Sequence, residues 1–234
     1  MPTVDSFFSS RGQVNWKAAL SFSDLSPAVS AHIVRVFTFL AAMIGVAAAG
    51  VVAHSVLAIP SLFGTIGLFV SLMFFMTSQN ESSRKMGALA LAFSKGLVIA
   101  PLCEHALLVD PALITTAFLS CTVLFLSFAL SAMYAQRRSY FFLSSLLASG
   151  LNMLLFMSLL SFFFHFEALF MLRIYGGLLL FAGYVLFDTQ MMIEKACGGD
   201  YDVAGHAVDL FIDFVAIFVR ILIILLKKEK KERR

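Results

Sequence analysis

Gly183-Tyr-Val-Leu-Phe-Asp188-Thr-Gln190 and Val208-Asp209-Leu-Phe-Ile-Asp213-Phe214 decide how this chain is read. The first closes an apolar stretch over roughly 169–193, and the second opens another over roughly 207–226. Each stretch is long enough to cross a bilayer, which takes about 20 helical residues. An ionised carboxylate in hydrocarbon is costly, so an acid inside such a stretch marks a functional site by default. Here two neighbouring spans, joined by a short polar loop, each bring one. In a hairpin, Asp188 falls in the last turns of one helix and Asp213 in the first turns of the next. They then sit at similar depth near one membrane face. Asp209 and Asp213 are four apart and share a helical face. Arg220 lies two turns further along that face, roughly 10 Å away at 1.5 Å per residue.

The rest of the chain fits a membrane setting. Of its 234 residues, 60% are hydrophobic and 13% charged, and the mean hydropathy is +0.92. A soluble domain is about 45–50% apolar and about 25% charged. The expected class is all-α and polytopic, one membrane domain over 1–234, with a polar segment at 1–30 and a basic tail at 227–234. The net charge of +3 is small, and six of the 17 basic residues follow Leu226. The basic signal is therefore a tail, and no nucleic-acid partner is expected. Cys103, Cys121 and Cys197 have no metal or redox spacing and read as free, mostly buried thiols.

Spans are expected at about 33–57, 61–76, 86–108, 112–134, 140–164, 169–193 and 207–226. Ahead of them, Phe7, Phe8, Trp16 and Phe22 suit an interfacial segment. Asp24 or Ser26, with Pro27 after, is a start signal for a short helix. Thr77 to Lys85 reads as a polar loop, and Gln136-Arg137-Arg138 as a basic one. The Phe-rich runs read as lipid-facing bulk. Basic residues favour the cytoplasmic side. Arg11, Lys17 and Arg35, then Arg84 and Lys85, then Arg137 and Arg138, alternate with loops that lack them. The amino terminus is thus expected in the cytoplasm. A full seventh crossing would put the basic tail on the far side, against the rule, so crossing and re-entry both stay open for the last segment.

Asp188, Asp209 and Asp213 form the strongest cluster. Two close carboxylates cannot both ionise cheaply, so such a pair shares a proton or holds a hard cation. Thr189, Gln190 and backbone carbonyls are further oxygen donors. The plainer alternative leaves Asp209 outside the hydrocarbon and has the others bond to neighbouring helices. Arg84 and Arg220 are candidate partners for the acids. Acid would then weaken such an arginine lock and favour opening, while protons compete with Ca²⁺ for the same oxygens. Glu104, near the far end of the third span, is a candidate pore-mouth acid or a snorkelling side chain. Lys95, in the same span, is a candidate to pair with an acid in the bundle. His32, His54, His105, His165 and His206 fall near span ends without zinc-like spacing, so no metal site is assigned to them. Gly183, Gly198 and Gly199 read as packing and helix-stop positions. Lys227, Lys228, Lys230, Lys231, Arg233 and Arg234 suit contact with anionic lipid or a partner. No nucleophile elbow, P-loop or dinucleotide motif is present, so the chain is not expected to be an enzyme or to carry a resident cofactor.

Three blocks carry a resemblance. They are Leu130-Ser-Ala-Met-Tyr-Ala-Gln-Arg-Arg-Ser-Tyr140, the Gly183–Gln190 block with Ile193-Glu-Lys195, and Val208–Phe214, followed by the Lys/Glu-rich end. With them the chain resembles the transmembrane Bax inhibitor motif family, and within it the eukaryotic branch of the endoplasmic reticulum. The resemblance covers nearly the whole chain. It implies a seven-helix fold with the last helix central, pH-sensitive Ca²⁺ leak from the reticulum, and suppression of programmed cell death. It maps the family's aspartate pair onto Asp188 and Asp213, in transient contact with Ca²⁺, and its gating arginine nearest to Arg84. Two rivals remain: a proton/calcium antiporter using the same acids, and a non-conducting regulator that binds cell-death proteins of the Bcl-2 type.

Overall fold

A computed structural model describes residues 26–134, 141–163 and 166–233. Among them it forms seven helices and no strand: α1 Pro27–Leu57, α2 Ser61–Thr77, α3 Glu81–Val109, α4 Ala112–Tyr134, α5 Phe141–Phe163, α6 Glu167–Cys197 and α7 Val203–Glu232. Each expected span is a helix. The aromatic segment ahead of Ser26, Asp24, the Arg137–Arg138 loop, His165 and Arg234 lie outside the described residues.

Polar residues extend the helices beyond their apolar cores. Ser26 Oγ accepts the Val29 N–H at 3.3 Å with Pro27 in the first turn, so the expected short helix is the start of the long first span itself. The expected loop from Thr77 to Lys85 shrinks to three residues. Asn80 Oδ1 accepts the Ser82 N–H at 3.4 Å, and Glu81 pairs with Lys85 at 2.5 Å one turn on. This cap and ion pair make the polar turn helical, so Arg84 rides on α3. The carboxyl-terminal tail is likewise no separate segment. Lys228–Glu232 and Arg233–Glu229 are i,i+4 pairs that continue α7 past Leu226. At the end of α6, Gly199 adopts φ +92°, the left-handed turn that ends the helix.

Five helices, α1, α3, α4, α5 and α6, are long and apolar enough to cross a membrane, and α2 is a shorter apolar helix of 17 residues. Val56, Leu108 and Leu179 are 74–86% exposed. Phe63, Phe69 and Phe156 are also exposed, as expected for lipid-facing bulk. An apolar surface of this extent suits hydrocarbon rather than water. The protein is a multi-pass membrane protein. α7 differs from the five because it carries Asp209, Asp213 and Arg220. Its apolar side chains pack on α1, α3, α4 and α6, which makes it the central helix.

α7 also runs the full length of the bundle. Its first cap, Asp202, meets Arg84 near the start of α3, and Arg233 donates to the Val109 carbonyl at the end of α3 at 2.9 Å. Lys227 reaches Glu167, the first residue of α6, at 2.6 Å. α7 thus lies alongside α3 from end to end without turning back. α3 packs closely on α1, where Gly96 abuts the Ala47 carbonyl and Gly50 the Phe93 carbonyl, leaving no room for a Cβ.

Candidate functional site

The antiparallel α6–α7 pair places the two candidate acids in register. Asp213, in the third turn of α7, is 3% exposed. Its carboxyl and that of Asp188 on α6 lie close enough to act directly on each other. Because a carboxylate oxygen only accepts, a hydrogen bond between them needs a proton on one of them. The second oxygen of Asp213, Oδ2, is buried with no protein partner. Thr189, next in the chain to Asp188, is fully buried with an unpartnered Oγ1. Gln190 instead turns away and donates to the Ala132 carbonyl of α4. Tyr184, one turn before Asp188, lies within electrostatic reach of both carboxylates.

Asp209 is exposed on the bundle surface, one turn before Asp213, although its charge reaches both acids. The expected cluster of three is thus a pair, Asp213 buried and Asp188 half-buried, with an exposed neighbour at its edge. Among the described residues no group of three or more His, Cys, Asp or Glu side chains could hold a metal ion. Two carboxylates suit passing contact with a hard cation rather than a resident site.

The arginines are engaged elsewhere. Arg84 pairs with Asp202 at 2.5 Å, stacks over Phe75 at 4.5 Å and donates to the Phe75 carbonyl at 3.5 Å. It sits level with the start of α7, roughly 15 Å short of Asp213. Arg220 donates to the Ala216 carbonyl at 2.8 Å, covers the Phe181 ring at 4.4 Å and lies on the backbone of Gly177. The shared helical face brings Arg220 to α6, but seven residues below the acid pair. The expected arginine lock on the carboxylates is not the arrangement present.

Asp202 serves two elements at once. Its Oδ1 accepts the Gly205 N–H at 3.1 Å as the cap of α7, and its Oδ2 takes Arg84. Burial by itself would raise this carboxyl. The Gly205 N–H and the Arg84 guanidinium outweigh it and hold the group below its ordinary range. Next to it, His32 of α1 and His206 of α7 meet at 3.0 Å. An Asp three residues before a Gly, at the head of an apolar helix, is a readable cap signal. The histidines are 174 residues apart, and nothing local joins them.

At the opposite end of the bundle, Glu104 Oε1 accepts from Ser55 Oγ at 2.8 Å, and Oε2 lies 3.6 Å from His54 Nε2. Its side chain is 39% exposed. Of the tail cations, Lys227 and Arg233 are engaged as described, and Lys230 and Lys231 are exposed.

The family described as "Inhibitor of apoptosis-promoting Bax1" matches residues 29–230, from the first turn of α1 to the last turn of α7. The chain belongs to the Bax inhibitor family. It is 38% identical over 228 residues to Bax inhibitor 1 of Homo sapiens, across 95% of this chain and 96% of that protein. The identity to Bax inhibitor 1 of Mus musculus is 40% over 228 residues, at the same coverage. With Bax inhibitor 1 of Arabidopsis thaliana it is 38% over 233 residues, covering 97% and 94% of the two chains. This member of the Bax inhibitor family is therefore one of a group of membrane proteins named for opposing apoptosis, and its acid pair lies inside the matched region.

Proposed function

We propose that this chain is a pH-sensitive Ca²⁺ leak path of the endoplasmic reticulum membrane, and that it suppresses cell death through that leak. The observation that carries the proposal is the close approach of the Asp188 and Asp213 carboxyls between α6 and α7. With one shared proton the pair is a charge-assisted clasp between the two helices, roughly twice as strong as a neutral hydrogen bond. A second proton makes the bond neutral and loosens the clasp, so acid favours opening. Protons also compete with Ca²⁺ for the same oxygens. Flux therefore rises as pH falls and then declines. Ca²⁺ is cargo, no catalytic step is assigned, and the amino terminus and the Arg84 end of the bundle face the cytoplasm.

The shared proton equally supports a proton/calcium antiporter, which counterflow of protons during Ca²⁺ movement would reveal. Exposed Lys230 and Lys231 suit lipid, or a Bcl-2-type partner of a non-conducting regulator. The deciding experiment is Ca²⁺ flux against pH in liposomes holding only this protein, for wild type, Asp188→Asn, Asp213→Asn and the double variant. The single variants should alter one common titration. Wild-type pH dependence in the double variant overturns the proposal, and absence of any flux favours the non-conducting regulator.

A further inference from the structure

His32 lies in the second turn of α1 and His206 in the first turn of α7, and their rings join the two helices at the Arg84 end of the bundle. Nε2 of His32 is 3.0 Å from Nδ1 of His206, and the ring centroids are 5.2 Å apart. That spacing leaves both nitrogens close to the line between the ring centres, so the bond is nearly straight. Such a bond holds one proton between two nitrogens. Both rings are buried, as are Val29, Ile33 and Val36 of α1 and Val203, Ala207 and Leu210 of α7, so water does not stand in for the bond. Tyr201, an exposed loop residue, meets the edge of His32 with centroids 5.4 Å apart. The pair is therefore buried yet next to the aqueous face.

With the shared hydrogen on His206 Nδ1, the neutral His32 ring carries its own on Nδ1. A further proton then has two places to go. On His206 Nε2, which is buried with no partner among the described residues, it makes an orphaned N–H. On His32 Nε2 it removes the acceptor and sets N–H against N–H. The surrounding charges give no help. Arg35 on α1, Arg84 on α3 and Lys195 on α6 stand against Asp200 and Asp202 in the loop and Asp209 on α7. These cancel with both rings neutral, so an imidazolium is in excess.

We propose that the His32–His206 pair is an acid-released latch between the first and last helices: neutral, it holds the Arg84 end of the bundle shut, and a further proton opens that end. An imidazole ordinarily titrates at about 6.5, within the range a cell reaches. Below that value an opened ring binds the proton the closed pair refuses, so closure weakens about tenfold per pH unit for each ring. The latch is separate from the acid pair, since Asp213 lies seven residues further along α7, roughly 10 Å away. It stands whether or not the chain conducts Ca²⁺, so its test does not use flux.

The test is amide hydrogen exchange of the full chain in nanodiscs of neutral lipid at about pH 7.5 and about pH 5.5, with each rate divided by its intrinsic value. Histidine nitrogen NMR is recorded on the same samples. Residues 27–36 and 203–210 should lose protection about tenfold at the lower pH, together with the appearance of imidazolium signals, while residues 222–230 keep theirs. The His32→Gln/His206→Asn variant sets an amide acceptor against an amide donor with nothing to titrate, and should keep its protection at both pH values. Asp188→Asn/Asp213→Asn should lose protection as wild type does. The proposal is overturned if wild-type protection at 203–210 is unchanged by acid, if imidazolium signals from the pair appear with protection intact, if the histidine variant loses protection like wild type, or if the aspartate variant abolishes the loss. The two wild-type measurements decide alone where the histidine variant does not fold.

Discussion

His32 Nε2 lies 3.0 Å from His206 Nδ1, and the two rings meet edge to face with centroids 5.2 Å apart. The bond joins the first helix to the last, and both residues are buried. His206 Nε2 has no partner. A bare buried acceptor costs less than an orphaned N–H. The proton therefore belongs on His206 Nδ1, which donates to His32 Nε2.

Removing either ring should leave the other buried and unpaired. His206→Ala is expected to lower stability by about 2 kcal/mol. The His32→Ala/His206→Ala double variant should lose less than the sum of the singles. Detergent melts of the three variants check this, and additive losses would mean the rings act independently.

At Gly205 a Cβ would meet Asp202 Oδ2 at 2.5 Å, the oxygen that holds Arg84. Gly205→Ala should push the carboxylate off either its cap or its ion pair, at a cost of about 1 kcal/mol. Asp202→Asn keeps a capping oxygen, so it should be the milder of the two changes. Equal melting temperatures for Gly205→Ala and wild type would contradict this reading.

The Asp202 carboxyl is held below its ordinary value of 3.8. A group lowered on folding stabilises the native state above its unfolded value, and that contribution is lost only as pH falls through the lower folded value. The Arg84–Asp202 pair therefore stays charged across neutral and mildly acid conditions. Asp202→Asn should change basal flux in liposomes while leaving the pH profile near neutrality in place. A profile flattened by Asp202→Asn as strongly as by Asp213→Asn would move the sensor to this pair.

Gly96 sits on the Ala47 carbonyl, and rigid backbone cannot yield as a side chain would. Gly96→Leu should separate α1 from α3 at a cost of about 3 kcal/mol or more. The neighbouring Gly45, with nothing within 4 Å of its added Cβ, is the control. Gly45→Ala should match or exceed wild-type stability, because glycine is a poor helix former. Comparable losses at both positions would show that the contact is not the cause.

The tail ends in exposed pairs, Lys228–Glu232 and Arg233–Glu229. Exposed ion pairs add little stability and are screened by salt. Truncation after Lys227 keeps the Glu167 pair and should leave liposome flux unchanged. It should also weaken binding to vesicles of anionic lipid in a salt-dependent way. Loss of flux in a folded truncation would give the tail a part in the path.

Reading the chain alone reached the spans because a membrane imposes a simple demand, about 20 apolar residues per crossing, that composition meets visibly. Pro60 and Asp110-Pro111 stand at the turns between helices, and Gly199 takes the left-handed conformation its place after α6 suggests. Local polar chemistry was harder to read. Ser26 and Asn80 are ordinary capping residues whose effect reaches only their own first turn. The polar run at Glu81 therefore reads as a loop in the sequence, and its cap and ion pair keep it helical.

The sequence by itself determined that α6 and α7 each carry an acid within an apolar stretch, because hydrocarbon makes Asp188 and Asp213 exceptional whatever surrounds them. It also determined family membership, through motif blocks that need no geometry. Only the tertiary structure decided which charges meet. Arg84 finds Asp202 across 118 residues and His32 finds His206 across 174, while Arg220, on the face shared with Asp213, turns to Gly177 and Phe181. Such pairings depend on how helices rotate and slide against one another. That choice is made by small residues such as Gly96 and Gly177, whose missing side chains let partners approach, and no one-dimensional pattern records it.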